Sequence, residues 1–299
     1  MQSETVHTSI ATTPDTPPAL REFDAIPGPR GIPILGNALQ IESTRFHQQL
    51  TAWSEEFGPL FKLHLGKRKM LVVGDHQMVA AILRDRPDGL RRTARLEAIW
   101  REMNMPPGVF GSNGDEWQRQ RRMVMAGFDP AHVKRYFPSL QTVAQRVVRR
   151  WQLAASAKTS IHLQPDLMRY TVDTIAGLAF GAEVNTLETE GDVIQQHLDK
   201  IFPALFKRLL SPFPTWRYLP SAANRELERS IAEVNRAVNG FVAEARGRLQ
   251  ADSSLREKPN NLLEAMIAAA DVPASGIDDH QVAGNVLTML LAGEDTTAN

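Results

Sequence analysis

The sequence predicts a mainly α-helical protein with a small β-hairpin close to its N-terminus. From about residue 115 onward, apolar residues recur every three or four positions, which is the spacing of amphipathic helices. Residues 60–65 instead alternate apolar and polar side chains, as a half-buried strand does. Apolar residues make up 42% of the 299 residues, so the chain can bury a sizeable core.

The first segments are a leader and a strap rich in proline and glycine. Residues 1–26 are rich in Ser, Thr, Pro and acidic residues, and we expect them to form a disordered polar leader. Residues 27–37 combine prolines, which fix φ, with glycines, which allow positive φ. This composition predicts an extended, kinked strap.

A helix, a hairpin and a short helix are predicted next. Apolar residues at helical spacing predict a helix over residues 44–57, and a Gly-Pro pair ends it. Strands over residues 60–65 and 70–73 flank a Gly-Lys turn, so they are expected to pair as a hairpin. Asp75 is expected to cap a short helix that ends at Leu83.

The rest of the chain is predicted to be almost wholly helical, with Gly and Pro clusters between the helices. The predicted helices cover residues 115–126, 131–153, 166–180, 192–210, 224–250, 262–270 and 278–299.

Charge and cysteine content exclude several classes of protein. Thirty-four basic and 34 acidic residues give no net charge, which argues against a nucleic-acid-binding protein. The absence of cysteine excludes disulfides, Cys-ligated zinc and iron–sulfur clusters within these residues. Neither a signal peptide nor an apolar run of membrane-spanning length is found, so we expect a soluble, cytoplasmic protein without a transmembrane anchor.

Trp117 and Arg121 form the first of two candidate sites. They lie four residues apart in a predicted helix and therefore share one face. An indole N–H beside a guanidinium group can bind an anionic group such as a carboxylate. The alternative is a buried tryptophan beside a surface arginine cluster.

The second candidate site is residues 290–297, where an apolar helix acquires a glycine, two acids and two threonines. Asp and Thr compete for backbone hydrogen bonds, so we expect a bulge or kink here. Gly293 allows another surface to approach the backbone closely. An acid beside a hydroxyl can deliver protons in a pocket. The alternative is an ordinary helix end.

Together these motifs resemble the cytochrome P450 family. Ala-Gly-Glu-Asp-Thr-Thr at residues 292–297 is similar to the signature of that family's central helix. Trp117 and Arg121 resemble its Trp-x-x-x-Arg motif, the strap at 27–37 resembles its proline-rich N-terminal segment, and Phe-Gly at 180–181 resembles its Ala-Phe-Gly stretch. The order and spacing of all four agree, which implies a cytochrome P450 fold.

The resemblance implies haem b as the cofactor and gives several residues a role in binding it. Trp117 and Arg121 would hydrogen-bond a haem propionate, and Arg92 would be a further propionate contact. Ala292 and Gly293 would lie over the distal face of the haem.

Further roles implied by the resemblance concern catalysis and substrate. Asp295 and Thr296 would relay protons that promote O–O cleavage, whereas Glu294 would fill a variable position. Phe110 would contact the substrate. Residues 202–218 would form a mobile lid over the substrate channel.

The resemblance also implies a missing part. A cytochrome P450 continues beyond its central helix with a Glu-x-x-Arg pair and a loop whose cysteine thiolate ligates the iron. We therefore expect residues 27–299 to be the N-terminal portion of a P450 domain, incomplete at its C-terminus, with no metal ligand of its own. On this interpretation the chain alone is inactive.

The implied function is that of a haem-thiolate monooxygenase. Such an enzyme inserts one oxygen atom from O₂ into a hydrophobic organic substrate, using electrons from a ferredoxin-like, flavodoxin-like or reductase donor. A polar leader without a membrane anchor resembles the soluble bacterial type. Two alternatives stay open: a non-catalytic helical binding protein, and the remnant of a disrupted gene.

Overall fold

The structure, a computed structural model, describes residues 20–42, 44–85, 88–182, 184–189, 193–211, 213–219 and 221–298. Backbone contacts divide the chain into two units, residues 1–79 and 80–299. The predicted leader lies largely outside the described residues.

The smaller unit contains the predicted helix and hairpin. Its elements are α1 (Phe46–Phe57), β1 (Leu60–Leu65) and β2 (Arg68–Val73), with the two strands antiparallel. Phe61, Leu63 and Leu65 are buried, so the predicted alternation along β1 is confirmed. The ring of Trp53 in α1 meets Phe61 edge-on, with centroids 6.5 Å apart, and so joins the helix to the hairpin.

The predicted strap lies against β1. Asn37 is fully buried, and its side-chain oxygen accepts the His64 N–H at 2.8 Å. Gly36 has a φ of +60°, and a Cβ at this position would lie 2.4 Å from the His64 carbonyl oxygen. The described end of the predicted leader forms a 3-10 turn at Phe23–Ala25, and its Phe23 ring contacts His64. Regular structure therefore begins slightly before the strap.

The larger unit is helical in its described residues. Helix α2 (His76–Arg84) crosses the boundary between the units. The helices that follow are α3 (Ala94–Glu102), α4 (Gly114–Gly127), α5 (Pro130–Ser156), α6 (Leu163–Phe180), α7 (Val193–Leu210), α8 (Ala222–Ala251), α9 (Leu262–Ala270) and α10 (Asp279–Ala298). The seven helices predicted after residue 115 are all present, close to their predicted bounds. None of the described helices is both long and apolar enough to cross a membrane.

Helix α3 is absent from the sequence-based prediction. Thr93 caps it, because its side chain accepts the N–H of Leu96 at 3.3 Å. Leu96, Ile99, Trp100 and Met103 are buried on one face of the helix. This i, i+3, i+4, i+7 set is the signal that could have identified the helix.

The core of the larger unit is built around α10. Helices α4, α6, α8 and α9 all pack against it. Val282, Val286, Leu287 and Leu290 are each no more than 1% exposed. Because its N-terminal two-thirds is enclosed in this way, α10 is a fixed support for the residues at its C-terminal end.

Candidate functional site

An apolar cavity of about 240 Å³ lies where α10 meets α3, α7 and the loop between α3 and α4. Its lining residues are Trp100, Phe110, Phe202, Phe206, Thr288, Leu291, Ala292 and Thr296. Apolar walls with few polar groups are typical of binding sites for small organic molecules. The cavity brings together three residues that the sequence singled out, namely Phe110, Ala292 and Thr296.

Three aromatic rings form one side of the cavity. The Phe110 ring centroid lies 5.4 Å from that of Trp100 and 6.3 Å from that of Phe202, which it meets nearly at right angles. The Trp100 indole N–H donates to the Pro106 carbonyl at 3.0 Å, which fixes the orientation of this buried ring. Phe206 is 57% exposed and forms the outer part of the wall. Phe110 therefore occupies the middle of an aromatic row drawn from three elements.

The opposite side of the cavity is a single face of α10. Thr288, Ala292 and Thr296 are four residues apart and line the cavity in turn. The Thr288 hydroxyl donates to the Gly284 carbonyl at 2.8 Å, and the Thr296 hydroxyl donates to the Ala292 carbonyl at 2.5 Å. Helix α10 is continuous to Ala298, and both threonines bond back to the preceding turn, a contact that often bends a helix, so the expected kink stays a prediction.

Gly293 faces a neighbouring helix. A Cβ at Gly293 would lie 1.9 Å from the Cδ1 atom of Ile175, so the glycine permits close packing of α10 against α6. The surface that approaches the backbone at this glycine is therefore the Ile175 side chain. The side chains of Glu294 and Asp295 lie outside the part of the chain that the structure describes.

Trp117 and Arg121 lie on one face of α4, as their spacing predicts. The Arg121 guanidinium lies 5.4 Å from the centre of the Trp117 ring, within the range of a cation–π contact. Trp117 is half-buried and Arg121 is exposed. The pair therefore offers a positive group and an indole to the same side of the helix, which is a suitable donor set for a carboxylate.

Arg92 is held close to the beginning of α4 by Asn113. The Asn113 side-chain oxygen accepts the Arg92 N–H at 2.7 Å, and its amide group donates to the Arg92 carbonyl at 3.3 Å. The Arg92 guanidinium lies 5.0 Å from the centre of the Phe110 ring. Arg92 thus lies beside the cavity wall, at the end of α4 that carries Trp117.

The sequence analysis missed a polar cluster that connects the cavity loop with α4 and α10. Asn285 and Gln120 are both fully buried, and the Asn285 amide donates to the Gln120 side-chain oxygen at 2.8 Å. The Asn285 side-chain oxygen accepts the Val109 N–H at 3.0 Å. The only available signal in the sequence is a polar residue within the apolar pattern of α10, and this signal does not identify a partner.

The predicted lid is anchored to α3 at both ends of that helix. Arg95 donates to the carbonyl groups of Arg208 at 2.7 Å and of Leu209 at 3.1 Å, at the C-terminus of α7. Carbonyl groups at a helix end lack partners within the helix, so a guanidinium group is a suitable cap.

The second anchor is Glu102, at the other end of α3. Its carboxylate accepts the Trp216 indole N–H at 3.0 Å and a bond from Arg217. We call Arg95, Glu102, Trp216 and Arg217 the latch. Burial raises the pKa of Glu102, but the hydrogen bonds from Arg217 and Trp216 outweigh it and hold that pKa below its usual value.

Comparison with known proteins identifies relatives of one kind. The cytochrome P450 family profile matches residues 26–299. A self-sufficient cytochrome P450 monooxygenase of Penicillium expansum is 23% identical over 282 residues, and one of Aspergillus niger is 24% identical over 285 residues. Each alignment covers 93% of this chain and 26% of the relative. A bifunctional cytochrome P450/NADPH–P450 reductase of Aspergillus oryzae is 26% identical, over 91% of this chain and 24% of the relative.

The chain therefore spans about a quarter of the length of these curated relatives. All three are fungal, so they do not support the bacterial type expected from the polar leader. The family profile covers nearly the whole chain and includes every motif on which the resemblance rests. The chain belongs to the cytochrome P450 family, which implies a haem cofactor.

Proposed function

We propose that this chain forms the substrate-binding part of a monooxygenase that inserts one oxygen atom from O₂ into a small, apolar organic molecule. The observation that carries the proposal is the apolar cavity in which Phe110 faces Ala292 and Thr296, in a chain of the cytochrome P450 family. Haem, when bound, supplies the chemistry that activates oxygen.

The residues present fit a haem in their donor chemistry. Trp117 and Arg121 share a face of α4 and supply an indole N–H and a guanidinium group. Both suit a propionate carboxylate, and Arg92 adds a second guanidinium group at the same end of the helix. Ala292 presents a small side chain on the cavity face of α10 and fits a position beside a flat ring, whereas Gly293 faces Ile175 of α6. The 299 residues contain no cysteine, so we assign no axial ligand within them.

The aromatic wall of the cavity is proposed to orient the substrate. The row of rings from Trp100, Phe110 and Phe202 favours an apolar molecule by burial and ring contact. The hydroxyls of Thr288 and Thr296 already donate to backbone carbonyls. They leave only acceptor oxygens on the cavity wall, so the cavity suits a molecule without a charge.

Thr296 and Asp295 are proposed to move protons. Thr296 lines the cavity, and its hydroxyl donates a hydrogen bond to the Ala292 carbonyl. Rotation about χ1 would turn the same proton toward the cavity, and a neighbouring acid could then restore it. Asp295 is the acid that the family signature assigns to this role.

A reductase is the proposed electron donor. The name of the Aspergillus oryzae relative states that it joins a cytochrome P450 to an NADPH–P450 reductase in one chain. This likeness favours a reductase over a ferredoxin-like or flavodoxin-like donor.

Haem retention by variants of α4 tests the proposal. Arg121→Ala should weaken haem retention, because a charge-assisted hydrogen bond is worth about 1.5–3 kcal/mol. Arg122→Ala is the matched control, since Arg122 is equally exposed on α4 but points about 100° away from Arg121. Purified variants are loaded with haemin and passed through a desalting column, and the retained haem is measured by its absorbance. Equal retention by the two variants would remove the basis for assigning Arg121.

A further inference from the structure

Asn285 lies at the centre of a buried polar network. Its side chain donates to the Gln120 side-chain oxygen and to the Gln281 carbonyl, both at 2.8 Å, while its oxygen accepts the Val109 N–H at 3.0 Å. We call Asn285, Gln120 and Gln281 the amide junction. Gln120 and Gln281 both donate onward to one oxygen of Glu116, at 3.2 and 3.3 Å. Asn285 therefore has a partner for its oxygen and two for its amide group.

The loop between α3 and α4 lies directly on the backbone of α10 beside this junction. A Cβ at Gly284 would lie 2.3 Å from the Pro107 carbonyl oxygen. A Cβ at Gly108 would lie 2.4 Å from the Gly284 carbonyl oxygen and 2.3 Å from the Thr288 hydroxyl. Two glycines thus bring the backbones together where Asn285 bonds to Val109.

Phe110 follows Val109 in a tight turn. The N–H groups of Gly111 and Ser112 both bond to the Gly108 carbonyl, at 3.0 and 3.1 Å. The turn is held at its first residues by α10, and Phe110 projects from it into the cavity. A shift of Val109 would therefore move the Phe110 ring relative to Trp100 and Phe202.

We propose that Asn285 is a positioning residue that sets the place of the Phe110 ring in the cavity, and so determines how tightly an apolar ligand binds there. The proposal rests on the proposed function, because it takes this cavity as the substrate site. Asn285 does not itself line the cavity; it acts through the Val109 N–H and the turn that carries Phe110.

The test is the affinity of a neutral, apolar fluorescent probe, N-phenyl-1-naphthylamine, for the purified protein. Asn285→Ala should raise the probe's dissociation constant about fivefold to tenfold, since it removes the bond that anchors the turn. Should Asn285→Ala not fold, Gln120→Met takes its place, because it removes the partner that orients Asn285 without touching the cavity.

Asn261 provides a matched control for simple loss of stability. It is also a buried asparagine, but it caps α9 by accepting the Glu264 N–H at 2.9 Å. Asn261→Ala should lower stability to chemical denaturation as Asn285→Ala does, yet leave probe affinity within about twofold. Equal losses of affinity in the two variants would overturn the proposal, because they would indicate a general effect of stability.

A double-mutant cycle with Phe110 makes the test specific. If Asn285 acts through Phe110, Asn285→Ala should change probe affinity by less than about twofold when Phe110→Ala is already present. Additive effects of the two changes would overturn the role of Asn285 and leave the proposed function intact. If Phe110→Ala does not alter probe affinity, the cavity is not the binding site, and both proposals fail.

Discussion

The loop that carries Phe110 and the lid that carries Phe206 face the same cavity, but they are held in different ways. The loop is attached by the fully buried Asn285 and Gln120 and by direct backbone packing at Gly284. The lid is attached through the latch, where the side chains of Glu102 and Arg217 are 29% and 44% exposed. The loop thus depends on buried neutral amides, and the segment after α7 depends on partly solvated charges. Helix α7 itself, which carries Phe206, is held by the buried Ile201 and Leu205 and by its packing against α8.

The two kinds of attachment differ in energy. Leaving a buried amide without its partner costs about 1–3 kcal/mol, so the loop has a strong preference for one position. Exposed ion pairs contribute about 0.2–1 kcal/mol and weaken with salt. The latch is therefore the weaker of the two attachments.

The largest effect should come from filling the contact beneath the loop. Alanine in place of a helical glycine normally stabilises a protein by about 0.5–1 kcal/mol. At Gly284 the added Cβ would meet the Pro107 carbonyl oxygen, so Gly284→Ala should instead lower the free energy of unfolding by about 1–3 kcal/mol. Chemical denaturation measures this change.

Gly240→Ala in α8 is the matched control for this prediction. Gly240 is exposed, and a Cβ there would have no described atom within 4 Å, so the variant should gain stability. If Gly284→Ala is as stable as Gly240→Ala, the loop does not depend on the backbone contact with α10, and the contrast between the two walls is lost.

The lid should respond to pH through Glu102. Because the hydrogen bonds from Arg217 and Trp216 outweigh burial, the pKa of Glu102 is lower in the folded protein than its usual 4.5. Its contribution to the latch is therefore complete above the unfolded-state pKa and is lost as the pH falls through the lowered folded value. The protection of residues 213–219 against hydrogen exchange, measured relative to the intrinsic amide exchange rate at each pH, should fall over that acidic range by about fivefold at most.

Glu102→Gln should remove this pH response. The variant should already be less protected at neutral pH, because the Arg217 contact has lost its charge, and acid should change its protection little further. Glu257→Gln, which alters an exposed carboxylate outside the latch, should behave like the unchanged protein. If acid still lowers the protection of residues 213–219 in Glu102→Gln, a titratable group other than Glu102 controls the response of the lid to pH.

Local patterns in the sequence predicted most of the elements and one pair of site residues. Alternation along β1 and helical periodicity after residue 115 are properties of neighbouring residues, and the structure agrees with both. The shared face of Trp117 and Arg121 follows from a spacing of four residues alone. Helix α3 was missed although its apolar spacing was present in the sequence.

Contacts between distant segments could not be predicted in the same way. Asn285 and Val109 are 176 residues apart, and nothing near either residue indicates the other. Gly293 was correctly predicted to permit a close approach, but only the packing of α6 on α10 identifies Ile175 as the neighbour. The kink expected near Thr296 stays a prediction, because a hydroxyl that bonds back to the preceding turn is compatible with a bent helix.

The α10 face marked by Ala292 and Thr296 is proposed to meet the substrate and to supply the protons that cleavage of O₂ consumes. Thr296 lines the cavity, whereas Thr297 lies about 100° further around the helix. The measurement is product formed per reduced nicotinamide consumed by the complete enzyme with its electron donor, with peroxide assayed in parallel. Thr296→Ala should lower the yield of product and raise peroxide, Asp295→Asn should slow turnover, and Thr297→Ala should change little. Unchanged yield in Thr296→Ala, or a loss of yield in Thr297→Ala instead, would contradict the assignment of this face.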